Sequence, residues 1–114
     1  MIAVIFEVLP HAASKQAYLD IAASLATTLK EMDGFISIER FQSLSDPQKI
    51  LSLSFWRDEA AVAGWRNRDV HREAQSQGRN MVFQDYRLRI AGVIRDYGMT
   101  EREQAPADSR SVHG

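Results

Sequence analysis

The sequence predicts an α+β fold of the ferredoxin-like type, in which a four-stranded antiparallel sheet carries helices on one face. Segments with strand-like alternation and segments with the three- and four-residue apolar spacing of helices follow one another in the order βαββαβ. The chain has 114 residues, which is the size of one ordinary domain. Apolar side chains occupy both faces of the first strand, which indicates that neither face of the sheet is left to solvent.

The chain opens with a strand and an amphipathic helix. Residues 2–9 are rich in β-branched and aromatic side chains and stop at Pro10, so they are predicted to form a strand. A helix is predicted over residues 14–32 with Ser14 as its N-cap, because apolar residues then recur every three or four positions. Gly34 is predicted to end this helix, because glycine readily adopts the left-handed conformation found after helices.

A β-hairpin comes next. Residues 35–42, with the sequence Phe-Ile-Ser-Ile-Glu-Arg-Phe-Gln, alternate as a strand does. Residues 43–48 contain serine, aspartate and proline, which favour turns. Residues 49–56 then form the returning strand, which ends at Trp56.

Two helical segments and a last strand complete the predicted domain. Asp58 caps a helix that contains Trp65, a break falls near Asn67, and Asp69 caps a further helix that reaches about Asn80.

Residues 82–95 contain the last strand, which alternates between a face of large apolar side chains and a basic face. The apolar face holds Tyr86, Leu88 and Ile90, and the basic face holds Arg87 and Arg89. We therefore predict a domain over residues 1–97. Residues 98–114 are polar and are predicted to be a tail.

The charge balance and the residue types exclude several function classes. A net charge of −1 from 14 basic and 15 acidic residues supplies no strong field for nucleic acid or an acidic membrane. The chain has no cysteine, which excludes disulfides, thiolate nucleophiles and thiolate metal sites. The first residues lack a basic segment and reach an acid at Glu7, and no apolar run approaches the ~18 residues needed to span a bilayer. We expect a cytoplasmic protein with neither nucleic acid nor a membrane as a partner.

The apolar residues on both strand faces predict a homodimer. The first strand has Ile2, Val4, Phe6 and Val8 on one face and Ala3, Ile5 and Leu9 on the other. One protomer has helices for only one of these faces. Burial of the second face against another sheet is favourable at about 25 cal/mol per Å² of apolar area. We therefore expect two copies whose sheets face each other.

Three stretches resemble the antibiotic biosynthesis monooxygenase (ABM) domain of the dimeric α+β barrel superfamily. They are Val4–Val8, Met32–Phe35 and, above all, Ser54–Arg66, which continues into His71–Gln75. The resemblance covers about residues 2–95. It implies the dimeric barrel fold and an oxidoreductase activity. Members of this group include cofactor-independent oxygenases of aromatic polyketides, haem-degrading enzymes and small proteins with no assigned activity.

Trp65 and His71 are the first candidates for site residues. By resemblance, Trp65 matches a helix tryptophan that lines the substrate pocket, although it is equally read as a core aromatic. His71 lies near a helix N-terminus, where the dipole disfavours a positive charge, so a neutral ring is expected. Such a ring is a candidate base, with an ordinary surface histidine as the alternative. We predict a pocket between this helical region and the sheet, with Trp65 on its wall and His71 near its mouth.

Tyr86 and either Arg40 or Arg87 are candidate donors to a substrate oxyanion, and each is also read as an ordinary sheet aromatic or surface charge. No cofactor is expected. The haem-degrading members pair the helix tryptophan with an asparagine on the first strand and a histidine ten residues beyond the tryptophan. Here that later position is Gln75, and the first strand has no asparagine. Nucleotide-binding loops and histidine pairs with metal-ligand spacing are also missing.

Two function hypotheses remain open at this point. The first is a cofactor-independent monooxygenase that acts on a small aromatic or enolic compound. The second is a non-catalytic small-molecule binding or accessory dimer of the same fold. A pocket with an apolar lining and a histidine facing into it favours the first, and a pocket filled by the protein's own side chains favours the second.

Overall fold

The structure is a computed structural model that describes residues 1–77 and 82–114, and its elements follow the predicted order. One turn of 3-10 helix over Ala12–Ser14 precedes the first α-helix. The strands are β1 (Ile2–Pro10), β2 (Phe35–Gln42), β3 (Ile50–Trp56) and β4 (Phe83–Gly92), and the helices are α1 (Lys15–Glu31), α2 (Glu59–Arg66), α3 (Asp69–Gln77) and α4 (Ala107–His113).

Three local details differ from the sequence predictions, and a fourth prediction lies outside the described residues. Ser14 occupies the N-cap position of α1, but its side chain makes no capping hydrogen bond. Asp69 was predicted to precede α3 as its N-cap, but it is the first residue of the helix. The predicted end of this helix, near Asn80, lies outside the described residues. The segment predicted as a tail contains the helix α4, which its polar composition did not indicate.

The four strands form one antiparallel sheet in the order β2-β3-β1-β4. Residues directly opposite one another on neighbouring strands point to the same side of a sheet. Val4 is opposite Ser54 on β3 and Ile90 on β4, and Ser54 is opposite Ile38 on β2. These residues define the face that the helices cover, and their immediate neighbours along each strand define the other face.

The helix-covered face carries two clusters of buried side chains. One cluster joins the helices to the Trp56 end of the sheet and consists of Leu29, Trp56, Ala61, Val62 and Trp65. The other lies at the opposite end of the strands and consists of Val8, Tyr18, Ile50 and Val82. The candidate residue Trp65 thus belongs to the core at one end of the sheet.

The start of α2 is fixed by several polar contacts. Asp58 accepts a hydrogen bond from the Ala61 backbone N–H at 2.9 Å, which confirms the predicted cap. Arg57 pairs with Asp33 at 3.0 Å and with Asp58 at 3.1 Å. Gly34 has a φ of 85°, and a Cβ atom there would lie 2.5 Å from the Cβ of Ala61. Only glycine allows the turn after α1 to approach α2 this closely, and the approach sets where α2 lies on the sheet.

The face away from the helices is partly apolar and also carries charged side chains. Its central strands contribute the half-buried Ile5 and Leu53, and Phe41 on β2 is 43 % exposed. Glu7 accepts a hydrogen bond from Arg89 at 3.3 Å and pairs with Lys49 at 3.8 Å. This face has apolar area that packing within one protomer leaves partly in solvent.

Candidate active site

Trp65 is nearly buried and faces the sheet. It lies in the last turn of α2 with 9 % of its surface exposed, and it packs in the cluster that contains Trp56 of β3. The helical spacing places Trp65 on the same face as Ala61, which is also buried. The sequence predicted this orientation correctly, because the apolar stripe of a short helix points to the core.

His71 packs directly against Trp65. The two ring centroids lie 4.8 Å apart, and the ring planes are inclined by 39°. The Nδ1 atom of His71 is buried and makes no hydrogen bond with any of the residues that the structure describes. Buried polar atoms usually have a partner, so an unpaired imidazole nitrogen beside an aromatic wall is a candidate for chemistry.

Burial lowers the pKa of His71 below its ordinary value of 6.5. The backbone carbonyl of Arg66 opposes this shift, because as a hydrogen-bond acceptor it favours the protonated ring, and the nearby charge of Arg72 adds to the lowering. The ring is therefore neutral at pH 7. A neutral imidazole can accept a proton, which is the first requirement of a general base.

Two further polar residues join α2 to α3 at this corner. Nη2 of Arg72 donates to Oδ1 of Asn67 at 2.5 Å, and Nδ2 of Asn67 donates to the carbonyl of Ala63 at 2.8 Å. Sequence reasoning missed both residues as parts of the site. The signal available was weak: an asparagine at a helix C-terminus followed by a second helix.

Tyr86 and Arg40 lie on the helix-covered face but at opposite edges of the sheet. Arg40 is on β2, opposite Ser52, whereas Tyr86 is on β4, opposite Val8. Strands β3 and β1 separate them, so three inter-strand spacings, about 14 Å in total, lie between the two backbones. The structure therefore does not bring these two candidate donors together.

Tyr86 instead packs with other aromatic rings beside the core cluster that contains Val8 and Tyr18. Its ring lies 5.7 Å from that of Phe6 and 5.9 Å from that of Phe83. Arg87, the alternative donor, is opposite Glu7 and so points to the face away from the helices. Among the sequence candidates, the contact that the structure shows is the one between Trp65 and His71.

Comparison with known proteins decides the family. The model of the family described as antibiotic biosynthesis monooxygenase matches residues 1–77, which include β1, the hairpin, α2 and α3. The chain belongs to this family. The ABM resemblance predicted from the sequence is confirmed, and both Trp65 and His71 lie within the matched residues.

Two curated proteins are similar in sequence to this ABM chain. One is the jasmonate monooxygenase ABM of Pyricularia oryzae, which is 50 % identical over 93 residues, or 82 % of this chain and 43 % of that protein. The chain thus spans less than half of the length of that relative. The other is the uncharacterised protein YqjZ of Bacillus subtilis, which is 25 % identical over 78 residues, or 68 % of this chain and 67 % of that protein.

Solved structures confirm the predicted fold. Rv0793 of Mycobacterium tuberculosis superposes with a TM-score of 0.76 at 14 % identity, covering 85 % of this chain and 98 % of that chain. A crystal structure of an antibiotic biosynthesis monooxygenase superposes with a TM-score of 0.72 at 15 % identity, covering 82 % and 99 %. A protein of Shewanella oneidensis, SO0527, gives a TM-score of 0.73 at 18 % identity, covering 79 % and 87 %. At these identities the likeness is one of fold alone.

Two cavities of the ABM chain lie away from the Trp65–His71 pair. A cavity of about 260 Å³ lies beside the β2–β3 hairpin and is lined by residues that include Glu7, Phe41 and Lys49. A second, of about 160 Å³, is lined by Phe83, Gln84, Asp85 and Tyr86. The pocket expected between α2 and the sheet, with Trp65 on its wall and His71 at its mouth, stays a prediction.

The described residues contain neither a metal-binding cluster nor a membrane-spanning helix. Within residues 1–77 and 82–114, no group of three or more His, Asp and Glu side chains is placed to hold a metal ion. The described helices include none that is long and apolar enough to cross a membrane. The side chain of Gln75, on which the argument against haem rests, lies outside the described residues.

Proposed function

We propose that this ABM protein is a monooxygenase that oxidises a small aromatic or enolic compound with O₂ and without a bound cofactor. Membership of the family and the sequence similarity to a jasmonate monooxygenase support an oxygenase. The proposed chemistry rests on one observation, which is that Nδ1 of His71 is buried and unpaired while its ring packs against Trp65.

The reaction begins with proton removal by His71. Nδ1 takes a proton from a phenol, or from a carbon next to a ketone, and the electron pair stays on the substrate as an activated anion. This anion reduces O₂ and forms a hydroperoxide. When the reacting carbon is a CH₂ group, loss of water then leaves a carbonyl, so that CH₂ and O₂ become C=O and H₂O. The substrate supplies all the electrons, and Trp65 supplies an apolar wall that excludes water.

Jasmonate is a reasonable first substrate to test. The name of the Pyricularia oryzae relative states that it acts on jasmonate. Jasmonate contains a cyclopentanone, so it has carbon-bound protons next to a carbonyl and can form an enolate. It therefore meets the chemical requirement that the His71 site sets, as hydroquinones and naphthols do.

Substrate binding must change the corner between α2 and α3. Nδ1 of His71 is buried, so a substrate reaches it only if the contact between His71 and Trp65 opens. The fluorescence of Trp65 should then change on binding, because the emission of an indole depends on its surroundings. A Trp56→Phe variant simplifies this measurement, since the chain has only two tryptophans.

The decisive experiment is oxygen consumption without added cofactor. Hydroquinones, naphthols and jasmonate are offered to protein that has been treated with a metal chelator. We expect uptake with at least one of them, and a fall of roughly 100-fold or more in turnover for His71→Ala. His11→Ala is the matched control, because His11 is an exposed histidine in the loop before α1. Full activity of the His71→Ala protein would remove this residue from the reaction.

Cofactor independence has its own test. The purified protein should bind haem weakly, because Gln75 occupies the position at which haem-degrading members have a histidine. A Soret shift that saturates at one haem per chain would overturn this part of the proposal, as would flavin that copurifies in equal amounts.

A non-catalytic binding dimer is the second candidate function, and one observation favours it. Trp65 is only 9 % exposed, and His71 fills the space beside it, so the protein's own side chains occupy the place expected for a pocket. This function predicts that a ligand changes Trp65 fluorescence while oxygen uptake stays at the rate of the buffer.

We also propose that the protein works as a homodimer through the sheet face away from the helices. Ile5 and Leu53 are only half-buried there, and Phe41 is 43 % exposed. Glu39 borders this face on β2 and Arg89 borders it on β4. A twofold axis parallel to the strands would place β2 of one copy over β4 of the other and bring opposite charges together. Light scattering that shows a monomer at micromolar concentration would contradict the dimer.

Residues 98–114 are proposed to be an appendage to a domain formed by residues 1–97. Arg102 donates to the carbonyls of Gly98 and Gly114 and to Oγ of Ser109, at 3.1, 2.9 and 2.6 Å. These bonds are internal to the segment, whereas across its boundary the Asp96 backbone N–H donates to Oε1 of Gln104 at 2.8 Å. This contact is exposed, so its loss should cost little stability. A protein truncated after residue 97 should keep its urea midpoint, and a lower midpoint would show that the segment stabilises the domain.

A further inference from the structure

The exposed side chain of Arg72 is hydrogen-bonded to the end of α2, at the corner between α2 and α3. Its Nη2 atom donates to Oδ1 of Asn67 at 2.5 Å. Asn67 is itself anchored on the end of α2, where its backbone N–H and its Nδ2 both donate to the carbonyl of Ala63, at 3.1 and 2.8 Å. The guanidinium of Arg72 is therefore oriented by a side chain that α2 holds, although Arg72 itself belongs to α3.

His71 and Arg72 are neighbours on α3, and both contact the end of α2, His71 at Trp65 and Arg72 at Asn67. This arrangement has two opposite electrostatic consequences. A cation near a general base weakens the base while the site is empty, because it disfavours protonation of the base. The same cation stabilises the anion that the base creates when it removes a proton from a neighbouring molecule. An arginine at this place therefore makes His71 a weaker base in the empty site. It also stabilises a substrate that becomes negatively charged when it loses its proton.

A purely structural role explains less of this arrangement. A basic residue near the C-terminus of α2 interacts favourably with the helix dipole, and Arg66 and Arg68 already supply two cations there. Neither the dipole nor the helix end requires a third guanidinium oriented through an asparagine. The candidates Arg40 and Tyr86 lie at opposite edges of the sheet, so they do not form a joint oxyanion site.

We propose that Arg72 binds the oxyanion formed when His71 removes a proton from the substrate, and that Asn67 positions Arg72. This inference rests on the proposed function, because it adds a group to the same site. The proton of a phenol O–H, or of a C–H next to a ketone, moves to Nδ1 of His71. The electron pair of the broken bond ends on the substrate oxygen, which pairs with the guanidinium. The site therefore selects molecules that ionise to a phenolate or an enolate.

The test uses 4-nitrophenol, a phenol that ionises near neutral pH and changes its absorption spectrum when it does. A pH titration with protein in excess gives the ionisation constant of the bound phenol. Wild-type protein should make the bound phenol ionise at lower pH than the free phenol. Arg72→Met should reduce the ionisation constant of the bound phenol about 10-fold or more, since hydrogen bonds to charged groups are strong. Arg68→Met is the matched control and should change it by less than about 2-fold, because Asn67 holds the guanidinium of Arg72 and not that of Arg68.

The role of Asn67 is tested by a double-mutant cycle. Asn67→Ala should remove part of the effect of Arg72 on the bound phenol, because the guanidinium is then free to turn away. The double variant Asn67→Ala with Arg72→Met should be no worse than Arg72→Met alone. Additive losses would show that Asn67 does not act through Arg72. Thermal melting of each variant establishes that it is folded.

The outcomes separate this inference from the proposed function. A bound phenol that ionises equally well in wild type and Arg72→Met overturns the role of Arg72, and so does a wild-type protein that does not bind 4-nitrophenol. Oxygen uptake that depends on His71 but not on Arg72 sustains the oxygenase and overturns the inference. A phenol response that depends on Arg72, in a protein that consumes no oxygen with any substrate, sustains the oxyanion site and overturns the oxygenase.

Discussion

Acid should destabilise this protein through His71. Burial lowers the pKa of the folded ring below 6.5, whereas the unfolded chain has the ordinary value. Between these two pKa values the unfolded state binds the proton and the folded state does not, so a fall in pH favours unfolding. The stabilisation is complete above the unfolded pKa and is lost as the pH falls through the folded pKa.

The size of the effect follows from proton linkage. While His71 is protonated only in the unfolded state, each unit of pH removes about 1.4 kcal/mol from the free energy of unfolding. A domain of this size has roughly 5–15 kcal/mol in total, so the loss is easily measured. Asp33 and Asp58 also have lowered pKa values, but their stabilisation is lost only below their ordinary value of 3.8. The range near pH 6 therefore separates the effect of His71 from those of Asp33 and Asp58.

The assay is urea unfolding followed by tryptophan fluorescence, repeated at intervals between about pH 7.5 and pH 5. His71→Gln should flatten the dependence on pH, because the group that titrates is gone. His11→Gln should leave the wild-type curve unchanged, since His11 is exposed before α1. Equal slopes for wild type and His71→Gln would refute the reasoning. An NMR titration of the ring that places its pKa at or above 6.5 would do the same.

Three stability predictions concern the core and the start of α2. Trp65→Ala should lower the free energy of unfolding by about 3–5 kcal/mol and Trp65→Phe by clearly less, as measured by urea unfolding; equal losses would show that packing does not explain the effect. Gly34→Ala should lose at least about 1–2 kcal/mol, because its φ is 85° and the new Cβ would meet Ala61; Gly98→Ala, where a Cβ has no neighbour within 4 Å, is the control. Asp58→Ala should lose about 1 kcal/mol of stability with the cap, and an unchanged melting temperature would contradict this.

The sequence predicted most of the fold because strand and helix patterns are local. The strand 35–42 was predicted with the bounds that β2 has, and the break between α2 and α3 was placed correctly near Asn67. The helix α4 was missed, since residues 107–113 have no apolar stripe to reveal it. Ser14 has the right residue type and position for a cap, but its side-chain hydrogen bond is not made.

By itself the sequence determined the order of elements, the two faces of each strand, the buried orientation of Trp65 and the family. These follow from residue type and from spacing along one segment. Only the tertiary structure decided which candidate residues meet. The angle between α2 and α3 brings His71 against Trp65 and Arg72 against Asn67, whereas the strand order β2-β3-β1-β4 sends Arg40 and Tyr86 to opposite edges. Spacing within one segment cannot reveal such meetings, because they depend on how separate segments pack together.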